Sequence, residues 1–291
     1  MARYDNVYWW SHDGLRLHAR DYPGGADGRP PILCLPGLTR NARDFEALAA
    51  RLAPEWRVLA VEFRGRGESG YSKDPMTYVP LTYVQDVDAL LREQGIGRFV
   101  AIGTSLGGIV TTLLSATERG RVAGALLNDV GPEIDPRGVA RIRSYVGRAS
   151  SWPTWMHAAR CVQEGNADVY PDFGVEDWLG MAKRLYRLNS AGRIVLDYDL
   201  RIAEPFRVPG ADLGPDMWRA LDALADTPVL LVRGARSDVL EGTIAERMLE
   251  RLRDAELVTV ADRGHTPLLT EPELEVPIAR WLDRIKEPAT A

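Results

Sequence analysis

Residues 103–107 read Gly-Thr-Ser-Leu-Gly, so that one serine lies between two glycines at a spacing suited to nucleophilic catalysis. The apolar run RFVAIG precedes the serine and the pattern SLGGIVTTLLSA follows it, which predicts a strand, a sharp turn and a helix. Side chains in place of the two glycines would clash on such a turn. The turn would expose the hydroxyl of Ser105 and place the amide of Leu106 at a helix N-terminus, where it can stabilise an oxyanion. We interpret Ser105 as a candidate nucleophile; the alternative is a glycine-rich turn without chemistry.

A serine needs a neighbouring base before it can act as a nucleophile, and the chain has four histidines that could supply one. His265 lies in the segment ADRGHTPLL, after the last apolar strand pattern and before the C-terminal helical pattern. A loop in this position can reach across the carboxyl edge of a sheet. The other three lie in a predicted hairpin or helix and are interpreted as surface or packing residues: His12, His18 and His157. His265 is therefore the candidate base.

Two aspartates could orient the imidazole of His265. Asp238, in RGARSDVL, follows a predicted strand and gives the chain order Ser, Asp, His. Asp129, in LLNDVGP, also ends a predicted strand, and its carboxylate could reach the same histidine. We favour Asp238 and keep Asp129 as the alternative acid. A helix-capping or turn role is the competing interpretation for either residue.

Short apolar runs alternate with amphipathic patterns along most of the chain. The runs PILCLPG, RVLAVEF, RFVAIG, VAGALLND, PVLLVRG and ELVTVAD predict strands that are buried on both faces. The patterns between most of them predict helices, as in NARDFEALAARLA and TYVQDVDALLREQG. Two further strands are predicted at the start of the chain, joined around Asp13-Gly14. The fold class predicted is α/β, a mostly parallel sheet flanked by helices.

Residues 135–215 interrupt this alternation. They show amphipathic helical stretches such as TWMHAARCVQEGN and no convincing strand. We therefore predict an inserted helical cap at 135–215 and an α/β core made of residues 1–134 and 216–291. Trp152, Trp155 and Trp178 of the cap are candidates for lining a substrate pocket. The alternative is that the cap's aromatic residues form its own core.

Composition narrows the classes of partner. The 291 residues are 45% hydrophobic with a formal charge of −5, and the arginines are scattered among carboxylates, which argues against a nucleic-acid partner. Two cysteines without metal-ligand spacing predict free thiols and no metal. The first residues lack a long apolar run, and no later run approaches a membrane span. We expect a cytoplasmic monomer or homodimer without a cofactor.

With these motifs, the chain resembles the α/β-hydrolase superfamily from Val7 to Leu282, apart from the insertion. The loop after the third strand in that family usually reads His-Gly and supplies a second oxyanion-hole amide; here it reads Pro36-Gly37, and the resemblance makes Leu38 the donor beside Leu106. The segment VEFRGRGESG also contains G-x-G-x-x-G, but Pro75 and Pro80 disfavour a long helix directly after it. It resembles instead the family's D-x-R-G-x-G-x-S loop, so NAD binding is not expected.

The resemblance implies a serine hydrolase with a Ser-His-Asp triad that cleaves small-molecule carboxylic esters or lactones through an acyl-enzyme on Ser105. Two branches of the family fit less well. Ring-cleavage-product hydrolases often have a tryptophan after the catalytic histidine, where this chain has Thr266, and cofactor-free haloperoxidase-like members have a methionine after the serine, where it has Leu106. The alternatives are a C–C bond hydrolase or an acyltransferase of the same fold, or a slow-turnover ligand receptor or signalling module. Sequence alone does not separate these.

Overall fold

A computed structural model describes residues 3–25, 28–208 and 216–286. The strands, numbered along the chain, are β1 (Asp5–Trp10), β2 (Arg16–Tyr22), β3 (Ile32–Leu35), β4 (Val58–Glu62), β5 (Phe99–Thr104), β6 (Val122–Asn128), β7 (Ser151–Trp152), β8 (Tyr186–Leu188), β9 (Ile194–Leu196), β10 (Val229–Gly234) and β11 (Ala255–Val260). Eight of them form one sheet in the order β1-β2-β4-β3-β5-β6-β10-β11. β2 is antiparallel to β1 and β4, and the pairs from β4 to β11 are parallel.

Helices cover both faces of this sheet, apart from three that lie in the chain between β6 and β10. In chain order the helices are α1 (Glu46–Leu52), α2 (Pro80–Glu93), α3 (Leu106–Thr117), α4 (Pro136–Tyr145), α5 (Trp155–Asn166), α6 (Val175–Leu185), α7 (Met217–Leu221), α8 (Gly242–Arg251) and α9 (Pro272–Lys286). Short 3₁₀ turns occupy Ala42–Phe45, Pro75–Thr77, Leu200–Ala203, Pro205–Arg207 and Asp222–Leu224. One buried apolar cluster joins the sheet to α2, α3, α7 and α8, and a second joins it to α1 and α9. The predicted α/β class is confirmed. Within the described ranges, no helix combines the length and apolar character needed to cross a membrane.

The sheet topology brings three strand ends together. β5, β6 and β10 are neighbours and run parallel, so their carboxyl ends meet at one edge of the sheet. The residues after these ends are Ser105, Asp129 and Ala235. In open parallel sheets, ligands bind at this edge, outside the carboxyl ends of the strands. The edge is therefore where the candidate chemistry belongs.

The segment predicted to form the cap, called the cap below, lies between β6 and β10 in the chain. Its helices α4, α5 and α6 were expected, but the prediction of no strand is wrong, because β7, β9 and β8 form a small antiparallel sheet. These strands have only two or three residues each, too few to produce a readable alternation of apolar and polar positions. The predicted boundary at residue 215 lies outside the described residues, and the division into core and cap stays a prediction.

Candidate active site

Ser105 occupies the turn that joins β5 to α3. Its φ of 52° and ψ of −116° are sparsely populated for a residue with a side chain, so the surrounding structure must hold it there. Both flanking positions must be glycine, because backbone atoms lie where a Cβ would be. A Cβ on Gly103 would lie 2.4 Å from the carbonyl oxygen of Gly107, and one on Gly107 would lie 1.9 Å from that of Leu35. The turn thus projects the Ser105 side chain outward from the sheet edge.

His265 links the serine to a carboxylate. Its Nε2 lies 2.9 Å from Oγ of Ser105, and its Nδ1 lies 2.7 Å from Oδ2 of Asp129. This geometry suits the tautomer in which Nδ1–H donates to the carboxylate and Nε2 accepts from the serine hydroxyl. Sequence analysis singled out all three residues, and the structure joins them in one hydrogen-bonded line.

The surroundings of Asp129 hold its carboxylate as an oriented hydrogen-bond acceptor. Its side chain is fully buried, and its φ of 57° is a conformation that aspartate tolerates better than most residues. Besides His265, its carboxylate accepts from the amide of Gly234 at 2.9 Å and from Oγ of Ser237 at 2.7 Å. These donors compensate for the loss of solvent around a buried charge.

Our preference for Asp238 as the partner of His265 is wrong. After β10 the loop turns so that Ser237, not Asp238, faces Asp129, and Oγ of Ser237 also accepts from the amides of the two residues that follow Asp238. The carboxylate of Asp238 instead pairs with Arg141 of α4, with Nη2 to Oδ1 at 2.8 Å. Burial alone would raise the pKa of Asp238, but the hydrogen bonds and charge of Arg141 hold it below its ordinary value. Asp238 is thus an ionised contact between core and cap.

Leu106 follows the serine directly, and Leu38 lies in the loop after β3. Leu106 is the first residue of α3, so its N–H has no partner within the helix. The loop that carries Leu38 packs against the serine at Gly37, where an added Cβ would lie 3.8 Å from Cβ of Ser105. Arg66, fully buried, donates from Nε to the carbonyl oxygen of Leu38 at 2.9 Å. Both amides are therefore candidates for an oxyanion hole, and Arg66 fixes the loop that carries one of them.

The loop that carries His265 is held from the core side by Glu271. This buried carboxylate accepts from the amides of Leu268 at 2.8 Å and Thr270 at 3.1 Å and pairs with Arg263. Asn128 adds a donor from the end of β6, with Nδ2 to the carbonyl oxygen of Pro267 at 2.9 Å. The loop conformation is thus determined on both sides of the turn that follows the histidine.

Residues of the cap also hydrogen-bond to the loop that carries His265. The hydroxyl of Tyr170 donates to the carbonyl oxygen of Thr266 at 2.7 Å, next to His265 in the chain. The amide of Gly264 donates to the carbonyl oxygen of Val169 at 3.2 Å. Burial raises the pKa of Tyr170 to about 12, so the phenol is a protonated donor at neutral pH. The residues on both sides of His265 are therefore bonded to the segment between α5 and α6.

The three tryptophans proposed for the pocket belong to the cap's own apolar cluster. Trp178 is 3% exposed and packs edge-on against Tyr170 and Phe173. Trp152 stacks on Tyr186 with ring centroids 4.4 Å apart, and Trp155 packs against the same cluster. A pocket-lining role for them stays a prediction, and Trp178 has the least free surface for it.

The remaining histidines stand apart from this site. His18 is buried in the hairpin and hydrogen-bonds through its ring nitrogens to Glu62 and Asn6, both at 2.9 Å. His157 is exposed on α5 and bonds to Thr154. The glycine-rich segment 65–70 forms a loop and does not open a helix, since α2 begins only at Pro80.

One cluster among the described residues has metal-ligand spacing, namely His12, Asp13 and Asp86. Arg64, which is fully buried, already donates to both carboxylates of this cluster at 2.7 to 3.0 Å. Its guanidinium occupies the position that a cation would need. The cluster is therefore an ion-pair network that ties the hairpin to α2.

Sequence analysis missed two residues that shape the site. Arg66 lies between Gly65 and Gly67, and nothing in that pattern shows that its side chain reaches the carbonyl oxygen of Leu38. Tyr170 is one of many cap aromatics, and its contact with Thr266 spans 96 residues. Spacing along the chain carries no signal for either contact.

The chain is similar to several known hydrolases. A 3-hydroxybutyrate-oligomer hydrolase of Cupriavidus necator is 32% identical over 265 residues, which cover 88% of this chain and 90% of that protein. A 2-(acetamidomethylene)succinate hydrolase of Mesorhizobium japonicum is 25% identical over 262 residues, with 89% and 88% covered. The crystal structure of an alpha/beta hydrolase from Novosphingobium aromaticivorans superposes with a TM-score of 0.93 at 56% identity and covers 98% of this chain and 99% of its own. Residues 32–276 match the family described as the alpha/beta hydrolase family. The chain belongs to the α/β-hydrolase family.

Proposed function

We propose that the protein hydrolyses carboxylic esters or lactones through an acyl-enzyme on Ser105. The observation that carries this proposal is the hydrogen-bonded line from Asp129 through His265 to Ser105, with 2.7 and 2.9 Å between the paired atoms. The line supplies a nucleophile, a base and an orienting acid in the arrangement that serine hydrolases use. The relative named as a 3-hydroxybutyrate-oligomer hydrolase supports the ester class, because the units of such an oligomer are joined by ester bonds.

In the first half of the reaction, Nε2 of His265 takes the hydroxyl proton as Oγ of Ser105 attacks the acyl carbon. Negative charge then develops on the acyl oxygen, and the amides of Leu38 and Leu106 donate to it. Asp129 stabilises the imidazolium that forms and does not itself become protonated. His265 next gives its proton to the alkoxide of the leaving alcohol, which departs and leaves the acyl group on the serine.

In the second half, water attacks the acyl-enzyme. His265 takes a proton from that water, and the second tetrahedral intermediate collapses to release the carboxylic acid and to return the proton to Ser105. The same acyl-enzyme would transfer to an alcohol if one reached it before water did. Hydrolysis and acyl transfer therefore share every step up to the choice of acceptor.

The test is labelling with a fluorophosphonate together with turnover of 4-nitrophenyl acetate. We expect rapid labelling and a burst of nitrophenol, both lost in Ser105→Ala. A large yield of ethyl acetate in the presence of modest ethanol would indicate an acyltransferase instead. Stoichiometric labelling with no turnover of any of a panel of esters and lactones would contradict hydrolysis and favour a receptor.

A further inference from the structure

Two arginines and one aspartate lie at the seam between the cap and the oxyanion loop. Arg40 follows the loop of Leu38, and its Nη2 donates to Oδ1 of Asp44 at 2.8 Å while its Nε donates to the other oxygen. Arg184, in the last turn of α6, brings its Nε to 3.9 Å from Oδ1 of the same carboxylate. The distance is too long for a hydrogen bond. Asp44 is therefore satisfied by Arg40 and serves Arg184 only weakly.

This seam lies beside the candidate nucleophile. A Cβ on Gly37 would lie 3.2 Å from Cγ of Arg40 and 3.8 Å from Cβ of Ser105, so the two side chains flank the same point. Tyr170, whose hydroxyl is bonded next to His265, feels the charges of both Arg40 and Arg184. Arg40 thus lies close to the serine, and Arg184 shares with it both the carboxylate of Asp44 and the neighbourhood of Tyr170.

Arg40 and Arg184 share one carboxylate at the seam, that of Asp44. Among the described residues, the next carboxylate that acts on Arg184 is Glu46, and Glu46 already faces Arg20 at 3.7 Å.

Arg184 has the weaker share of the Asp44 carboxylate. Burial lowers its pKa from the ordinary value for arginine, and the nearby charge of Arg40 acts in the same direction. Its ion-pair partner Asp44 lies beyond hydrogen-bond distance, so its N–H groups can donate to a ligand. Its side chain is 30% exposed, so a ligand can reach it.

We propose that Arg184 and Arg40 form a carboxylate-binding subsite beside Ser105, and that the esters cleaved there carry a free carboxylate. The planar guanidinium of Arg184 presents paired N–H donors that match the two oxygens of a carboxylate. Arg40 contributes charge and the N–H groups that Asp44 leaves free. This subsite rests on the ester hydrolysis proposed above, and it defines which esters are good substrates.

The test compares esters that differ only in charge. One series contains acetoxy acids with two, three or four carbons in the acid, each paired with the neutral amide of that acid. A second series contains the monomethyl esters of short dicarboxylic acids, again paired with their amides. For the best-fitting spacer we expect kcat/KM to be about ten- to hundredfold higher for the carboxylate than for its amide. Equal values within every pair would overturn the subsite and leave ester hydrolysis standing.

Amino-acid substitutions test which residue causes the preference for the carboxylate over the amide. Arg184→Gln is expected to reduce the ratio of carboxylate to amide kcat/KM to near one, and Arg184→Lys to retain part of it. The matched control is Arg160→Gln, which removes the same charge from an exposed position on α5 and should leave the ratio unchanged. An undiminished ratio in Arg184→Gln would overturn the assignment.

Binding to Ser105→Ala separates the two proposals, because it does not need turnover. Calorimetry with the best acetoxy acid and its amide should give a lower Kd for the acid in Ser105→Ala, and the difference should vanish when Arg184→Gln is added. Equal Kd values in Ser105→Ala would overturn the subsite whatever the kinetics show. A wild-type protein that binds the acid selectively but cleaves no ester would uphold the subsite and contradict the proposed hydrolysis.

Discussion

Oδ2 of Asp129 lies 2.7 Å from Nδ1 of His265, although 136 residues separate the two in the chain. The carboxylate follows β6, and the loop after β10 contributes Ser237 to the same oxygen. The acid therefore comes from the strand next to the nucleophile's strand β5. The aspartate after β10 is free for another contact.

The first prediction concerns the orienting acid. Asp129→Asn keeps the shape of the side chain but removes the charge that stabilises the imidazolium and selects the tautomer of His265. We expect kcat/KM for an activated ester to fall about 10⁴-fold at neutral pH. Asp238→Asn should cost less than about tenfold, since Asp238 pairs with Arg141 instead. Circular dichroism would verify that both variants are folded, and a larger loss in Asp238→Asn would contradict the assignment.

The second prediction concerns the pH dependence of stability. The folded pKa of Asp238 is lowered by Arg141, so the pair stabilises the fold above the ordinary carboxyl pKa and loses that contribution as the pH falls through the lowered value. Asp238→Asn should therefore be less stable than wild type at pH 7 and approach it under acid conditions. Urea unfolding at pH 7 and below about pH 4 measures the difference. A gap of constant size across this range would contradict the ion-pair explanation.

The parallel sheet and the nucleophile turn could be predicted because their causes are local. Six apolar runs have the length and flanks of buried strands, and the sheet contains all six. Gly103 is required by a contact of 2.4 Å within the turn, with the carbonyl oxygen of Gly107. Gly107 is required by a non-local contact of 1.9 Å with Leu35 of β3, but the motif and the strand and helix patterns beside it already indicate the turn.

The acid could not be chosen from the sequence for a different reason. Asp129 and Asp238 both follow strands that end at the same edge of the sheet, so the fold alone allows either to reach His265. The choice depends on a rotation of the loop after Gly234, which turns Ser237 inward and Asp238 toward the cap. Chain order does not encode that rotation. The partner Arg141, on an inserted helix, is equally invisible in a linear pattern.

The third prediction separates packing from specificity in the cap. Trp178 is 3% exposed and central to the cap's apolar cluster, so Trp178→Ala should destabilise the protein by several kcal/mol, about 3–5 for a buried tryptophan. Trp152 is only half-buried, and Trp152→Ala should instead change the preferred acyl length of the substrate. Thermal unfolding and a panel of esters of increasing acyl length measure the two effects. An unchanged acyl-length profile for Trp152→Ala would return that residue to a packing role.

The last prediction concerns the hydrogen bond by which the cap holds the histidine loop. Tyr170→Phe removes the hydroxyl that donates to the carbonyl oxygen of Thr266 and keeps the ring in the aromatic cluster. A buried hydrogen bond of this kind contributes about 1 kcal/mol, so His265 should spend more time away from the serine. We expect kcat to fall by about fivefold while KM changes little, and fluorophosphonate labelling of Ser105 to slow by a similar factor.

The matched control for that change is Tyr186→Phe. Tyr186 lies in the same cap, and its hydroxyl has no hydrogen-bond partner among the residues that the structure describes. Removing it should leave the labelling rate of Ser105 unaltered. If Tyr170→Phe lowered only the melting temperature and labelled at the wild-type rate, Tyr170 would be a packing residue. A slowed rate at an unchanged melting temperature would show that the cap acts on catalysis through the position of His265, because the two sides of that residue are bonded to Val169 and Tyr170.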